Sequence, residues 1–180
     1  MILASASPQR RAILEQVGIA FEVRVSGVEE ETQGDPEWLA SENARRKALA
    51  ITADGLILGA DTDVAFEGEI LGKPADAEQA REFIARLAGR THQVVGAIAL
   101  VEDGAVMDTA IETTRVTFRA ATPALIDWYV ASGEWRGRAG GYAIQGTGAA
   151  LVASIEGDYL NVVGLPLARL LDLRPELLPR

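Results

Sequence analysis

A run of five apolar residues, Leu56–Ala60, is followed at once by the polar sequence Asp61-Thr62-Asp63. A continuous apolar run of this length is typical of a strand that is buried on both faces of a sheet, with helices covering those faces. The run therefore predicts an α/β fold and places Asp61 at the exit of a buried strand. A carboxylate at such a point is costly unless a cation or several hydrogen-bond donors meet it.

The N-terminal segment predicts a β-α-β unit. A short apolar run at residues 1–4 is followed by Ser7 and Pro8, which suit the cap and the first turn of a helix. Alternation of apolar and polar residues over 21–25 predicts a half-buried strand. Because ligands of α/β sheets bind near the carboxyl ends of strands, we expect a ligand where the segments after residues 4 and 60 emerge.

The rest of the chain continues this pattern of helices and strands. Helical patterns cover residues 37–53, 76–87 and 165–173, with another helix starting at Thr122-Pro123, and hairpin turns are expected at Glu67-Gly68 and Asp103-Gly104. Gly55 is expected to close the second helix. The β-rich stretch from residue 91 to 118 indicates a mixed central sheet with flanking helices, in a single domain over residues 1–180.

Composition excludes several classes of function. The 26 acidic and 17 basic side chains give a formal net charge of −9, which argues against nucleic-acid binding. The absence of Cys excludes thiolate chemistry, and a single His disfavours a zinc site. The N-terminal basic residues follow the apolar ones, and no apolar run approaches the ~18 residues of a membrane span. We therefore expect a cytoplasmic protein without membrane partners.

The N-terminal sequence ASASPQRR is suited to an anion. It combines two hydroxyls, the unpaired amides of a helix N-terminus, and the guanidinium groups of Arg10 and Arg11. A structural explanation stays open, in which Ser7 only caps the helix and both arginines are solvated.

Acidic and basic residues elsewhere are compatible with a metal and phosphate site. Asp61 and the acidic turn Glu29–Glu31 can supply the one or two carboxylates that hold magnesium beside substrate phosphates. Asp61 could instead cap a loop, the acidic turn could be solvated, and Lys47 and Lys73 could be ordinary surface lysines. His92 is interpreted as a strand histidine. The P-loop, GxGxxG and GxSxG motifs are absent from the sequence.

Five segments, taken in order, resemble the Maf family of nucleotide pyrophosphatases: LASASPQRR, GADTDV, GKP, RAGGYAIQG and GDYLNVVGLPL. The match spans nearly the whole chain. The resemblance implies a mixed α/β fold similar to that of the inosine triphosphate pyrophosphatases, with two lobes around a cleft. It also implies hydrolysis of a nucleoside triphosphate to a monophosphate and pyrophosphate, with magnesium, manganese or cobalt as cofactor.

The resemblance assigns roles to individual side chains. The family's functional positions fall on Ser5, Arg10, Glu30, Lys47, Asp61, Lys73 and Gln145. Glu30 and Asp61 would hold the metal, Asp61 would act in catalysis, and the other five side chains would bind the triphosphate.

Substrate preference is suggested by Thr62 and by the IQG motif containing Gln145, which resemble the branch acting on dTTP and UTP. A glutamine amide can pair with adjacent donor and acceptor groups of a pyrimidine. Gln9 departs from this branch, which usually has Arg there, so it is a further specificity position. Asp63 and Arg138 also depart, standing where an apolar residue and Lys are usual.

Other functions remain as alternatives. A 7-methyl-GTP pyrophosphatase, a sugar nucleotidyltransferase, and a non-catalytic nucleotide-binding regulator of cell division each share part of the pattern. The family's association with septum formation suggests a house-cleaning role linked to arrest of division. A homodimer is compatible with a compact metabolic enzyme, although no interface is evident from the residues.

Overall fold

The computed structural model describes residues 1–179, and within them the α/β architecture is confirmed. The strands are β1 (Ile2–Leu3), β2 (Glu22–Val23), β3 (Ile57–Phe66), β4 (Glu69–Ile70), β5 (Thr91–Glu102), β6 (Ala105–Phe118) and β7 (Val152–Glu156). The helices are α1 (Pro8–Gln16), α2 (Pro36–Leu49), α3 (Ala77–Leu87), α4 (Pro123–Ser132), α5 (Tyr159–Val163) and α6 (Leu167–Leu173). Short 3₁₀ helices lie at Ala139–Gly141, Gly146–Leu151 and Pro175–Leu177. No helix in this part of the chain is long and apolar enough to cross a membrane.

The sheet is mixed, as predicted. Its strand order is β2-β1-β3-β5-β6-β7, with β4 paired to β3. β1 runs parallel to β2 and β3, whereas the β3–β4 and β6–β7 pairs are antiparallel. The chain divides into two compact units: the first contains residues 1–62, 95–112 and the segment from 160 onward, and the second contains residues 63–94 and 113–159.

The first unit buries apolar side chains on both faces of β1, β3 and β5. One face packs against α1 and α6 and includes Leu3, Leu58, Ala60, Ile98 and Leu100. The other face packs against α2 and includes Ile2, Ala4, Ile57, Ala97 and Ala99. Because successive side chains of a strand point to opposite faces, Asp61 continues the α2 face and Thr62 continues the α1 face.

Most helix starts are those predicted from the sequence. Four side chains accept hydrogen bonds from backbone N–H groups in the first turn of their helices, and these residues are Ser7, Asp35, Asp76 and Thr122. Ser7 is the predicted cap of α1, and α4 begins at the predicted Thr122-Pro123. Two-residue turns with positive φ at Glu67-Gly68 and Asp103-Gly104 connect β3 to β4 and β5 to β6, which confirms both predicted hairpins.

The predicted end of the third strand at Asp61 is wrong. β3 continues to Phe66, so Asp61 lies within the strand and not at its exit. The parallel register of β1 with β3 ends at Leu3↔Leu58, but β3 goes on pairing and meets β4 at Ala65↔Ile70. The polar residues therefore follow the end of the pairing with β1. β3 itself persists because other strands still supply hydrogen bonds.

Two other boundaries differ from the prediction. α2 ends at Leu49 instead of residue 53, where β-branched Ile51 and Thr52 disfavour a further turn. The strand expected to be half-buried over 21–25 pairs only at Glu22–Val23, and its side chains are exposed. β7 and α5 were not predicted, because neither has a clear periodic pattern.

Gly59 permits close approach of α2 to β3. A Cβ atom at this position would lie 2.0 Å from the carbonyl oxygen of Ala44 and 2.9 Å from the Cβ atom of Ala48. Neither contact is tolerable, so only glycine fits between this strand and this helix. The small separation lets polar side chains of α2 reach β3.

Replacing Gly59 by alanine should therefore destabilise the protein. We expect Gly59→Ala to lower the free energy of unfolding by about 1–3 kcal/mol or more, as overpacking of a dense core does. Urea denaturation measures this change. Gly72→Ala is the control, because a Cβ atom there meets nothing within 4 Å. Equal stability of the two variants would contradict the packing argument.

Candidate functional site

Asp61 lies on the α2 face of β3 and contacts Asn43 and Lys47, and Lys47 also contacts Glu30. We call these four side chains the carboxylate cluster. The Lys47 ammonium is 2.6 Å from Asp61 Oδ1 and 2.7 Å from Glu30 Oε1. Asn43 Nδ2 donates a hydrogen bond of 3.1 Å to Asp61 Oδ2. Asp61 and Lys47 are 6% and 7% exposed, so each buried charge is paired, as burial requires.

Helix α2 supplies both donors to Asp61. Asn43 and Lys47 are four residues apart, which puts them one above the other on the same face of a helix. They share that face with Ala40, Ala44 and Ala48, which pack against the sheet. Lys47 and Asn43 thus reach the Asp61 carboxylate because the alanines on this face of α2 let the helix lie close to β3.

Hydrogen bonds also anchor the acidic segment to α2. Asn43 Oδ1 accepts a bond of 2.8 Å from the Glu31 N–H, and Asn43 Nδ2 donates one of 3.0 Å to the Glu31 carbonyl. Arg46 forms an ion pair with the Glu31 carboxylate. The acidic segment is therefore exposed, as one of the two explanations expected, but it is tethered to α2, and the Glu30 carboxylate meets Lys47.

A second group of side chains, which we call the arginine cluster, contains Ser5, Arg10 and Thr62. Arg10 Nη1 donates to Ser5 Oγ at 2.9 Å, Nη2 donates to Thr62 Oγ1 at 3.2 Å, and Nε donates to the Gly164 carbonyl at 2.8 Å. The Thr62 hydroxyl donates to the same Gly164 carbonyl at 3.2 Å. Arg10 is only 8% exposed, so its guanidinium is held in one orientation.

The two clusters are joined by one peptide bond, between Asp61 and Thr62. Six of the predicted site residues fall within them: Ser5, Arg10, Glu30, Lys47, Asp61 and Thr62. All six belong to the first unit, where hydrogen bonds and ion pairs connect them within each cluster.

The structural explanation for the first motif is correct for two of its residues. Ser7 Oγ accepts a hydrogen bond from the Arg10 N–H at 3.5 Å and donates one to Gln9 Oε1 at 3.2 Å. Arg11 forms an exposed ion pair with Glu15 at 2.7 Å. Ser7 is thus a helix cap and Arg11 a surface residue, while Gln9 lies in the first turn of α1 beside the cap.

Lys73 and Gln145 belong to the second unit, and both are exposed. The loop that carries Lys73 is tied to the RAGG turn, because the Gly140 N–H donates to the carbonyls of Leu71 at 2.7 Å and Gly72 at 3.1 Å. Gly140 has φ of 68°, and a Cβ atom there would lie 2.9 Å from Val64 Cγ1. The turn therefore requires glycine at this position.

The backbone is fixed on both sides of Gln145. The Ala143 N–H donates to the Tyr129 hydroxyl at 3.2 Å, and Glu134 accepts from the Thr147 N–H at 2.8 Å and the Gly148 N–H at 3.0 Å. Burial alone would raise the pKa of Glu134, but these hydrogen bonds, with the charge of Arg138, lower it. Gln145 therefore projects from a turn whose ends are held by α4 and the residues after it.

His92 is a buried residue of β5, as the sequence predicted. Its Nε2 atom is 2.8 Å from the Tyr142 hydroxyl, and the two rings pack edge-to-face with Phe118. Burial lowers the pKa of His92 to about 4 and raises that of Tyr142. Through the Tyr142 ring, these contacts attach the AGGY segment (139–142) to β5 and β6.

The sequence profile of the family described as Maf-like protein matches residues 1–176. The chain belongs to the Maf family. A relative from Gloeobacter violaceus is 49% identical over 181 residues, covering 98% of this chain and 95% of its own. One from Symbiobacterium thermophilum is 47% identical over 178 residues, covering 96% and 91%. Both carry the name dTTP/UTP pyrophosphatase.

A solved structure with similarity to this Maf-family chain is that of the Staphylococcus aureus Ham1 protein. It has a TM-score of 0.45 and 17% identity, and the match covers 67% of this chain and 71% of that one.

Two contributors to the Maf-family site were not found from the sequence. Asn43 precedes Lys47 by one helical turn, so a search for polar residues on the lysine's face of α2 could have found it. The Gly164 carbonyl has no such signal, because a backbone acceptor does not depend on residue type. It can be located only from the fold.

Protonation of His92 should make the stability of this chain depend on pH. Its pKa of about 4 in the folded state lies below the ordinary value of 6.5, so the unfolded chain takes up the proton first as pH falls. Stability is therefore lost between pH 6.5 and about 4, by roughly 3 kcal/mol in total.

The measurement compares wild type with His92→Gln, which does not titrate but can bond to the Tyr142 hydroxyl. Urea denaturation at about pH 7 and about pH 4 should give a loss larger by roughly 3 kcal/mol for wild type. Parallel losses in the two proteins would show that His92 does not carry this dependence.

Proposed function

We propose that this chain hydrolyses nucleoside triphosphates to nucleoside monophosphate and pyrophosphate, with dTTP and UTP as substrates. The observation that carries the proposal is the buried Asp61 carboxylate, held by Asn43 and Lys47 beside Glu30 and adjacent to the arginine cluster. The names of relatives that are close to half identical to this chain support the choice of reaction and of substrates.

The carboxylate cluster fits a divalent metal. Lys47 Nζ lies within 2.7 Å of oxygen atoms of both Glu30 and Asp61, so it marks a position where a cation is stabilised by two carboxylates. No group of three or more His, Cys, Asp or Glu side chains suited to a metal occurs in residues 1–179. Magnesium, manganese or cobalt held by one or two carboxylates usually takes its remaining ligands from water and substrate phosphates.

Such a metal, when bound, would neutralise charge on phosphate oxygens and favour deprotonation of water. In the proposed reaction, Asp61 orients a water molecule and accepts its proton as the water oxygen bonds to the α-phosphorus. The bond from that phosphorus to the bridging oxygen breaks, and pyrophosphate leaves. Ser5, Arg10 and Lys47 bind phosphate oxygens, and the resemblance to the Maf family assigns the same role to Lys73.

Base selection is assigned to Gln145, Thr62 and Gln9. The Gln145 side chain is exposed on a turn with fixed ends, and its amide can donate and accept simultaneously. The Thr62 hydroxyl is bonded to Arg10 and Gly164, so we propose that Thr62 acts by orienting Arg10. Gln9 acts through the cap of α1, where its side chain accepts from Ser7.

The same proposal includes a cytoplasmic location, a house-cleaning role toward modified pyrimidine triphosphates, and a link to arrested division and septum formation. The two physiological roles depend on the hydrolytic activity. Preference for 7-methyl-GTP is the enzymatic alternative, and triphosphate binding without turnover is the non-catalytic one.

Product analysis tests the reaction. With UTP labelled in the α-phosphate, and with magnesium or manganese, we expect labelled UMP and unlabelled pyrophosphate in equal amounts. Asp61→Asn should retain the fold and lower turnover by about 100-fold or more, because the proton acceptor is lost. Formation of UDP and orthophosphate, or full turnover by the Asp61→Asn protein, would contradict the proposal.

A substrate panel separates the alternatives. We include dTTP, UTP, modified pyrimidine triphosphates and 7-methyl-GTP, and we measure kcat/KM for release of pyrophosphate. Preference for the methylated purine would overturn the roles given to Thr62 and Gln145. Calorimetric binding of UTP with no pyrophosphate release, whichever metal is supplied, would favour the non-catalytic regulator.

Lys47 should compete with a divalent cation when no nucleotide is bound. Lys47→Met removes the ammonium but keeps an apolar stem of similar length, so the two carboxylates lose a shared cation. We expect nucleotide-free manganese binding, measured by electron paramagnetic resonance, to tighten by about tenfold or more, which corresponds to ~1.4 kcal/mol. Turnover should fall, because a phosphate ligand is lost.

The control is Arg45→Met, which changes the net charge equally on the same helix but removes an exposed ion pair with Glu42. Its manganese affinity should equal that of wild type. Manganese binding by Lys47→Met that is no tighter than wild type would show that the ammonium does not occupy the cation position.

A further inference from the structure

Asn43 connects the two carboxylate-bearing segments of the site. Its side chain accepts from the Glu31 N–H at 2.8 Å, donates to the Glu31 carbonyl at 3.0 Å, and donates to Asp61 Oδ2 at 3.1 Å. The residue is 2% exposed. One buried amide thus contacts the neighbour of Glu30 on one side and the proposed catalytic carboxylate on the other.

The contacts require the chemistry of an amide. The oxygen accepts one bond, and the two N–H groups of the nitrogen point to two different acceptors. An aspartate would keep the acceptor for the Glu31 N–H but lose both donors, and it would put a second negative charge beside Asp61 Oδ2. An apolar residue of similar size would leave the buried Asp61 contact and the partly buried Glu31 contacts unmade.

Asn43 also completes the orientation of Asp61. Lys47 holds Oδ1 from one turn further along α2, and Asn43 holds Oδ2. With one donor on each oxygen, the plane of the carboxylate is fixed relative to the helix. The same helix face therefore fixes both the direction of Asp61 and the place where the acidic segment lies.

We propose that Asn43 is a positioning residue that places the Glu30 and Asp61 carboxylates so that both can hold one divalent cation. It acts through those two carboxylates and does not touch the reacting atoms. The inference rests on the proposed function, because it concerns the metal and the reaction assigned to the carboxylate cluster. Outer residues that orient metal ligands typically contribute about 10–100-fold in metal affinity or activity.

A purely structural role would give a different result. If Asn43 contributed only to the stability of the fold, its loss would lower stability without changing how the folded protein binds manganese or turns over substrate. The matched control is Ala40→Gly, which destabilises the same helix one turn earlier at a fully buried residue with an apolar side chain.

The experiment compares wild type, Asn43→Ala, Asn43→Asp and Ala40→Gly. Thermal unfolding establishes the folded fraction, and all other measurements are made below the melting transitions. Manganese affinity is measured by electron paramagnetic resonance with a non-hydrolysable UTP analogue. Steady-state kinetics with UTP give kcat, KM and the manganese concentration for half-maximal activity.

We expect Asn43→Ala to weaken manganese binding and raise the half-maximal concentration by about 10–100-fold, with a matching fall in kcat and little change in KM for UTP. Asn43→Asp keeps the size of the side chain, and its kcat should fall by at least about tenfold because like charge displaces Asp61. Ala40→Gly should unfold at a lower temperature with wild-type kinetics and manganese affinity.

The outcomes separate this inference from the proposed function. If wild type is active and both Asn43 variants match Ala40→Gly in manganese affinity and kcat, the positioning role is overturned while the function stands. If wild type releases no pyrophosphate, the proposed function fails, and the manganese measurement alone decides the role of Asn43. Weaker manganese binding by Asn43→Ala then supports the role, and unchanged binding overturns it.

Discussion

Burial of one carboxylate within a strand is the constraint on which the candidate site depends. Asp61 is 6% exposed in β3, and an isolated charge there would be strongly disfavoured. It is tolerated because α2 brings an ammonium to one oxygen and an amide to the other. That approach in turn requires Gly59, beside which α2 lies too close for any side chain. The Asp61 carboxylate, helix α2 and Gly59 thus depend on one another for their packing.

Alternation along β3 then divides the chemistry between two faces. Asp61 points to α2 and meets the acidic segment, while Thr62 points to α1 and meets Arg10. The strand therefore joins a cluster suited to a cation with a cluster suited to an anion through adjacent residues. The alternation explains why GADT is informative as a motif of consecutive residues.

The sequence was informative where a local rule applied. The apolar run before Asp61, the capping residues and the hairpin turns all predicted real elements, because each depends on residues close in the chain. The end of β3 was mispredicted, since strand length depends on which neighbours still pair, and β4 joins only beyond Asp61. The position of Asn43 on the Lys47 face of α2 is a local signal, but its partners lie 12 and 18 residues away in the chain, and only the fold shows which groups it bonds. The family resemblance supplied the residue roles that no local rule could.

Charge balance in the carboxylate cluster bears on the order in which ligands bind. Glu30 and Asp61 bring two negative charges and Lys47 brings one positive charge, so the cluster is left with a deficit of positive charge. A triphosphate arriving alone would add negative charge to this deficit, and a divalent cation arriving alone would meet the ammonium already seated between the carboxylates. Under the proposed function, a cation that arrives bound to the triphosphate would avoid both conflicts, because Glu30 and Asp61 would hold the metal and Lys47 would bind phosphate. The position of Lys47 would then favour entry of metal and nucleotide as a single complex.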